Sequence, residues 1–138
     1  MDAAILDTDI LSEVLKQKDQ QVLASAQQYL IEHQRLAFSA MTLYEIVRGL
    51  RSNQAVRKLG EFLNTAGTSD VFPISVPVLM CAADLWADAR NGGNPQNDAD
   101  LIIAATALEA NRVLVTGNTH HFSWIKSLRL ADWRRVTP

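Results

Sequence analysis

The chain has little of what would mark a secreted, membrane-bound or zinc-dependent protein: 138 residues include one cysteine, three histidines and no long apolar run. A single cysteine excludes an internal disulfide, and without a spaced cysteine–histidine cluster a zinc centre is disfavoured. No stretch approaches a membrane span, and the first residues lack the basic and apolar regions of a signal peptide. We therefore expect a cytoplasmic protein with no membrane association.

An excess of positive charge is also missing, because the formal net charge is -2. Any nucleic-acid binding therefore has to depend on a local patch and not on the overall field of the protein. A glycine-rich phosphate loop is absent too, since Gly92-Gly93 lacks a following lysine and hydroxyl. What remains is an ordinary globular composition, 48% hydrophobic and 20% charged, which fits one domain over residues 1–138.

Short apolar segments alternate with helical patterns along the whole chain. The segments typical of strands are 3–7, 36–39, 71–74, 113–116 and a short one at 128–130. Helical spacing covers about 8–16, 19–33, 40–49, 56–67, 76–90 and 98–110. This alternation predicts a three-layer α/β/α domain with a mainly parallel sheet of about four to five short strands. The third strand should be an edge strand, because Pro73 cannot donate to a ladder.

Asp7 directly follows the first predicted strand. In an open parallel α/β sheet, ligands and chemistry collect at the carboxyl ends of the strands. A carboxylate in such a place stays charged only if it is solvated, hydrogen-bonded or bound to a cation. Asp7 is therefore the first candidate for a functional residue.

Three further polar residues map to the same edge of the predicted sheet. Glu45 lies in the first turn of the helix after the second strand, Asp100 lies near the start of an apolar helix, and Asn118 lies just past segment 113–116. Three carboxylates close together repel one another unless a cation holds them. Oxygen ligands suit Mg²⁺ or Mn²⁺, and such a cation can lower the pKa of a bound water and stabilise charge on a phosphate.

Each of these residues also has a purely structural interpretation. Glu45 completes a Thr-x-x-Glu pattern with Thr42, the form of a capping box. Asp100 could stabilise a helix N-terminus, and Asn118 suits a turn. Asp7 has few structural uses, so the joint placement of the four residues carries the hypothesis.

The chain resembles the PIN-domain nucleases and, within them, the toxin components of VapBC-type toxin–antitoxin pairs. Four segments carry the resemblance, in the family's order and across nearly the whole chain. They are LDTDILSE at 6–13, TLYEIVRG at 42–49, DLIIAATAL at 100–108 and VTGNTHHF at 115–122.

The resemblance implies a metal-dependent endoribonuclease. Asp7, Glu45 and Asp100 would be direct or water-mediated ligands of Mg²⁺ or Mn²⁺. Asn118 would support the cation or the water, and Thr8 matches a hydroxyl position near the site.

Two residues differ from the usual pattern of the family. Asp9 stands where asparagine is frequent, and its extra charge is interpreted as structural or supporting. His121 stands where members often carry an acid. This should lower the negative charge of the site and shift its metal affinity.

Two helix caps are also expected. Asp98 has the wrong offset for a metal ligand and better suits capping its helix, and Thr8 or Asp9 could cap the first helix.

The resemblance further implies a homodimer and inhibition by a small VapB-like antitoxin whose tail blocks the acidic groove. Arg48 and Arg51 are candidate RNA contacts, since they lie about one turn apart after Glu45. Each is equally well explained as a solvated surface arginine.

Two other classes of protein remain open from the residues alone. Asp7-Thr8-Asp9 after a strand also fits an aspartyl-phosphate phosphatase with a D-x-D nucleophile, although no convincing downstream lysine follows. The chain could also be a catalytically silent binding module that retains the fold. Substituting Asp9 tests the first alternative, and substituting Asp7 tests the second.

Overall fold

The computed structural model describes residues 1–135, which form five strands and seven helices. The strands are β1 (Ala4–Leu6), β2 (Ala37–Ser39), β3 (Asp70–Phe72), β4 (Val113–Val115) and β5 (Leu130–Ala131). The helices are α1 (Thr8–Lys16), α2 (Gln20–His33), α3 (Ala40–Ser52), α4 (Val56–Gly67), α5 (Val76–Asn91), α6 (Asp98–Glu109) and α7 (Thr119–Phe122). Within these residues, none of the helices combines the length and the apolar character needed to cross a membrane.

The strands form one sheet in the order β3-β2-β1-β4-β5, and every pairing is parallel. The predicted α/β fold with a parallel sheet is therefore confirmed, and β3 is an edge strand as expected. The strand order reverses beside β1, because the chain first builds outward to β3 and then returns to place β4 on the other side. In this class of sheet, a crevice opens at such a reversal, outside the carboxyl ends of the strands.

Two hydrophobic cores lie on the two faces of the sheet, because successive side chains of a strand point to opposite faces. In β1, Ala4 and Leu6 pack with α1 and α2 residues, whereas Ile5 packs with residues of α5 and α6. Both faces are covered, so the central strands are buried, and the polar residues at their carboxyl ends, Asp7, Ser39 and Thr116, are buried as well.

The helix caps differ from those expected from the sequence. Asp7, and neither Thr8 nor Asp9, is the N-cap of α1, and its side chain accepts a hydrogen bond from the Thr8 N–H. Asn97 caps α6, so the prediction that Asp98 caps this helix is wrong. Both caps are residues in extended backbone that stand one position before the first helical residue, where a side-chain oxygen can reach the free N–H groups.

Candidate active site

Asp7 lies where the strand order reverses, between the ends of β1 and β4. Its N–H donates to the Val115 carbonyl at 2.8 Å, which continues the pairing of β1 with β4. Asp7 Oδ1 accepts the Thr8 N–H at 2.8 Å, and Oδ2 accepts the Thr116 hydroxyl at 2.8 Å. The residue is only 8% exposed. Both carboxylate oxygens are therefore fixed by groups that belong to the sheet and to the start of α1.

The pKa of Asp7 is raised from 3.8 to about 6. The largest cause is burial, which removes water from the charged form, and the second is the neighbouring Asp9. Asp100 also raises this pKa, so its charge is close enough to act on Asp7. A cation bound beside Asp7 would stabilise the charged carboxylate and so offset these effects.

A chain of hydroxyl groups leads to Glu45. Ser39 Oγ donates to Thr42 Oγ1 at 3.3 Å, and Thr42 Oγ1 and Thr8 Oγ1 lie 3.0 Å apart. Thr8 Oγ1 donates to Glu45 Oε1 at 2.8 Å. Because each hydroxyl has one proton, the donation to Glu45 requires Thr42 to donate to Thr8. The chain is therefore polarised toward the Glu45 carboxylate, and each bond strengthens the next.

The predicted capping box of Thr42 and Glu45 is wrong. The N-cap of α3 is Ser39, whose hydroxyl accepts the Thr42 N–H at 3.0 Å. Thr42 is a fully buried residue inside the helix, and Glu45 directs one oxygen to Thr8 while the other lies 3.8 Å from Arg48. The capping interpretation of Glu45 is thereby removed.

Asp100 lies in the first turn of α6 and is held by side chains. Its N–H donates to Asn97 Oδ1 at 2.9 Å, and its Oδ2 accepts from Asn97 Nδ2 at 2.8 Å. The same Oδ2 lies 2.8 Å from His121 Nε2 of α7. Among residues 1–135, Oδ1 receives no hydrogen bond, so this oxygen stays available at the edge of the sheet.

Asp9 faces the loop after β4. Its Oδ1 accepts the Ile10 N–H at 2.8 Å, and its Oδ2 accepts the Gly117 N–H at 3.0 Å. Burial is the main reason why the pKa of Asp9 is raised. Main-chain groups thus hold both oxygens of Asp9 in place, which agrees with a structural or supporting role.

The remaining predicted residues lie around this centre at different depths. Asn118 precedes α7; its N–H donates to Thr116 Oγ1 at 3.1 Å, but its side chain makes no capping hydrogen bond. Arg48 stacks over the ring of Tyr44 beside Glu45. Arg51 is exposed near the end of α3, without an ion pair to a site acid among the described residues.

Sequence reasoning missed three supporting residues: Ser39, Thr42 as a hydrogen-bonding group, and Thr116. A signal was present for two of them, because Ser39 ends β2 and Thr116 follows β4 as Asp7 follows β1. A polar residue at the end of a buried strand is informative for every strand of a parallel sheet, not only for the first.

The donor set suits a hard cation, but the acids are not packed into a ready-made cage. In the described part of the chain, no group of three or more His, Cys, Asp or Glu side chains is arranged so that it could hold a metal ion. Asp7 and Asp100 interact electrostatically, and Thr8 connects Glu45 with the start of α1 beside Asp7. Carboxylate oxygens are the donors that Mg²⁺ and Mn²⁺ prefer, and Mg²⁺ usually keeps several bound waters instead of a complete protein cage.

Comparison with known proteins identifies the family of the chain. The PIN domain family matches residues 4–126. The VapC ribonuclease Y4jK of Sinorhizobium fredii is 32% identical over 126 residues, covering 86% of this chain and 89% of the relative. Ribonuclease VapC1 of Haemophilus influenzae strain R2866 is 29% identical over 139 residues, covering 95% of this chain and 98% of the relative. The chain belongs to the PIN-domain family and, within it, to the VapC ribonucleases, a family that is typically metal-dependent.

Solved structures extend the comparison to the whole fold. DNA-bound VapBC from Salmonella typhimurium superposes with a TM-score of 0.84 at 24% identity, over 96% of this chain and 99% of that chain. VapBC-1 from nontypeable Haemophilus influenzae superposes with a TM-score of 0.80 at 26% identity, over 96% and 99%. The resemblance seen in the four sequence motifs is therefore confirmed at the level of the fold and of the family.

Proposed function

We propose that this VapC ribonuclease hydrolyses RNA phosphodiester bonds with Mg²⁺ or Mn²⁺ held by Asp7, Glu45 and Asp100, and that it is the toxin of a toxin–antitoxin pair in the cytoplasm. One observation carries the proposal. The most buried carboxylate among residues 1–135, Asp7, lies where the strand order of a parallel sheet reverses. It is within electrostatic reach of Asp100 and is joined through Thr8 to Glu45.

Each acid has its own support for this role. Thr116 and the Thr8 N–H fix both oxygens of Asp7, and the hydroxyl chain directs one oxygen of Glu45 toward Thr8. Asp7 and Asp100 would hold the cation directly, with Glu45 directly or through water. When bound, the cation lowers the pKa of a water and stabilises negative charge on the phosphate.

Three matched variants test the metal site by cleavage of RNA with mapping of the new ends. We expect Asp7→Asn and Asp100→Asn to lose cleavage by about 10³-fold or more, since several kcal/mol of charge stabilisation depend on the cation. Asp98→Asn is the control, because this exposed carboxylate lies in the same first turn of α6. EDTA should abolish cleavage by the wild type. Normal cleavage by both Asp7→Asn and Asp100→Asn would contradict the mechanism.

The two other classes make different predictions in the same assay. A D-x-D phosphatase would lose its turnover with Asp9→Asn, whereas the ribonuclease should retain most of its cleavage because Asp9 supports a loop. A silent binding module would leave RNA intact with Mn²⁺, and Asp7→Asn would behave in cells like the wild type. Growth arrest on expression of the wild type, but not of Asp7→Asn, supports the toxin.

We also propose a homodimer and a VapB-like antitoxin as partners. The solved relatives are complexes of VapC-type chains with antitoxins. Several large apolar side chains of α5 face solvent in the isolated chain: Val76, Leu79, Met80 and Trp86. Exposed apolar surface of this kind is typical of an interface. Light scattering of the purified chain should give twice the monomer mass, and co-expression with the neighbouring small open reading frame should suppress both toxicity and cleavage.

A further inference from the structure

Arg134 lies at the acidic site although it comes from the distant carboxyl-terminal segment. The preceding residue, Trp133, is buried in the core and fixes the backbone at this point. The Arg134 N–H donates to Asp132 Oδ1 at 2.9 Å. The backbone of Arg134 is thus held by Trp133 and Asp132. Its side chain extends over the loop between β4 and α7, where Gly117 lies.

Gly117 provides the space that the guanidinium occupies. A Cβ built on Gly117 would overlap Arg134, with Nε 2.6 Å away and other guanidinium atoms still closer. The backbone of Gly117 does not have the positive φ that favours glycine, as Gly93 does. A side chain at position 117 would therefore have to displace the Arg134 guanidinium, whereas the backbone conformation would accept it.

The hydrogen-bonding capacity of the guanidinium is not used up by its acidic neighbours. Arg134 Nη2 lies 3.9 Å from Asp9 Oδ2, and Nε lies 3.6 Å from Asp132 Oδ1. Both distances exceed a hydrogen bond, so the acids orient the group without satisfying it. The side chain is 38% exposed, and no side-chain hydrogen bond of Arg134 is found within residues 1–135. A planar fork with free N–H donors is well suited to a phosphate.

An RNA phosphate that enters an acidic site needs a nearby positive charge, because the carboxylates repel it. Among the described residues, two arginines pair with acids of the site: Arg48 with Glu45 on one side, and Arg134 with Asp9 on the other. The Asp9 Oδ2 that lies near Arg134 also accepts the Gly117 N–H, next to Thr116, whose hydroxyl donates to Asp7. We propose that Arg134, seated on Gly117, binds a phosphate of the RNA substrate.

This proposal rests on the proposed ribonuclease function, and its first test uses adjacent arginines. Arg134→Gln is compared with Arg135→Gln, because Arg135 carries the same charge, contacts the same Asp132 and is 86% exposed. We expect Arg134→Gln to raise the KM for RNA about tenfold while kcat changes less than about threefold, since a charge-assisted hydrogen bond is lost. Arg135→Gln should change the KM by less than about twofold.

Salt dependence provides a readout that a merely structural role would not change. RNA binding is measured by fluorescence anisotropy with a single-stranded oligonucleotide and the non-cleaving Asp100→Asn protein, over a range of salt concentrations. Each lost phosphate contact should reduce the slope of log K against log salt by about 0.7. We expect this reduction when Arg134→Gln is added and not when Arg135→Gln is added.

Gly117→Ala fills the space that the Arg134 guanidinium occupies without removing its charge. The added methyl should displace Arg134 and raise the KM about threefold, and it should have no further effect when Arg134 is already glutamine. Equal effects of Gly117→Ala in both backgrounds would mean that it perturbs the loop instead. If Arg134→Gln does not fold, the KM for RNA and the salt slope are measured with Gly117→Ala and Arg134→Lys instead.

The outcomes separate this inference from the function on which it depends. If the wild type cleaves no RNA with either metal, the proposed function fails. If the wild type and Arg135→Gln cleave RNA, but Arg134→Gln has an unchanged KM and an unchanged salt slope, Arg134 does not bind phosphate and the ribonuclease proposal remains intact.

Discussion

Two acids of the proposed site, Asp7 and Asp100, are held in different ways. Asp7 is 8% exposed and is fixed by a main-chain N–H and by the Thr116 hydroxyl at the centre of the sheet. The Asp100 side chain is 27% exposed and is fixed by two side chains, Asn97 of its own helix turn and His121 of α7. The corner around Asp7 is thus part of the sheet, whereas the corner around Asp100 depends on the packing of short surface elements.

The two acids therefore raise different energetic problems: for Asp7 it is the burial of a negative charge, and for Asp100 it is the orientation of a partly exposed side chain. Burial makes the charge of Asp7 unfavourable in the metal-free protein, and the rigid sheet prevents relief by movement. Asp100 keeps contact with water, so its contribution depends on how well Asn97 and His121 orient it. Substitutions at the two corners should therefore have similar effects on cleavage and different effects on stability.

The largest expected difference in stability is between Asp7→Asn and Asp100→Asn in EDTA. A pKa rise from 3.8 to about 6 corresponds to about 3 kcal/mol at neutral pH. Removing the charge of Asp7 should raise the free energy of unfolding by up to this amount, about 3 kcal/mol. Asp100→Asn should not stabilise the protein, because it weakens the contact with His121. Urea unfolding of both variants at pH 7 measures the difference.

The pH dependence gives this prediction a definite sign. Asp7 binds its proton more tightly in the folded protein, so between about pH 4 and pH 6 the native state holds more protons than the unfolded state. The stability of the metal-free wild type should therefore fall as the pH rises through this interval. The advantage of Asp7→Asn should be absent below about pH 4 and complete above about pH 6. An advantage that is constant with pH would show that burial of the charge is not its cause.

Thr8→Val removes the hydroxyl that links Thr42 to Glu45. Valine keeps the shape of threonine but cannot donate to Glu45 or accept from Thr42. We expect cleavage to fall about 10- to 100-fold with a parallel loss of metal affinity, as when other groups that orient metal ligands are removed. Thr8→Ser is the control, since it retains the hydroxyl. Equal activity of the two variants would contradict a role for the chain.

The positions of Asp7 and Asp100 at one edge of the sheet could be predicted from the sequence, because they follow from where polar residues stand relative to buried strands. Asp7 after β1 and Asp100 in the first turn of α6 are local features, and a parallel sheet brings such ends together. The same rule, applied to β2 and β4, would also have found Ser39 and Thr116. Ser39 and Thr116 are the last residues of the predicted segments 36–39 and 113–116, so the pattern that places Glu45 and Asn118 after these segments does not single them out.

Other parts of the site could not be read from local patterns. Thr42 and Glu45 have the spacing of a capping box, yet a serine one residue before the helix competes for the same N–H, and Glu45 bonds instead to a residue 37 positions away. No local sequence pattern predicts that Arg134 lies near the acids, because its position depends on where Trp133 enters the core. Contacts of this kind are decided by tertiary packing and not by the periodicity of the chain.

At the more exposed corner, His121→Ala should have a smaller effect than Thr8→Val. The imidazole is one of two groups that hold Asp100 Oδ2, and Asn97 remains when it is lost. We expect the metal affinity to fall about tenfold at most, with little change in stability. Calorimetric titration with Mn²⁺ at one fixed pH measures the affinity, and His121→Gln, which can still donate, should recover part of it. An affinity of His121→Ala equal to that of the wild type would mean that Asn97 alone orients Asp100.

The smallest effect is expected at Asn118, which lies between the two corners. Its N–H donates to Thr116 Oγ1, the hydroxyl that binds Asp7, but alanine retains this N–H. The Asn118 side chain makes no capping bond to α7, so its removal costs the fold little. We therefore expect Asn118→Ala to lower cleavage by about threefold without changing the urea midpoint, as for a side chain that only supports water near the cation. A loss as large as that of Asp7→Asn would instead make Asn118 a direct partner of the cation, and the two corners would then share one ligand set that closes only when metal and RNA bind.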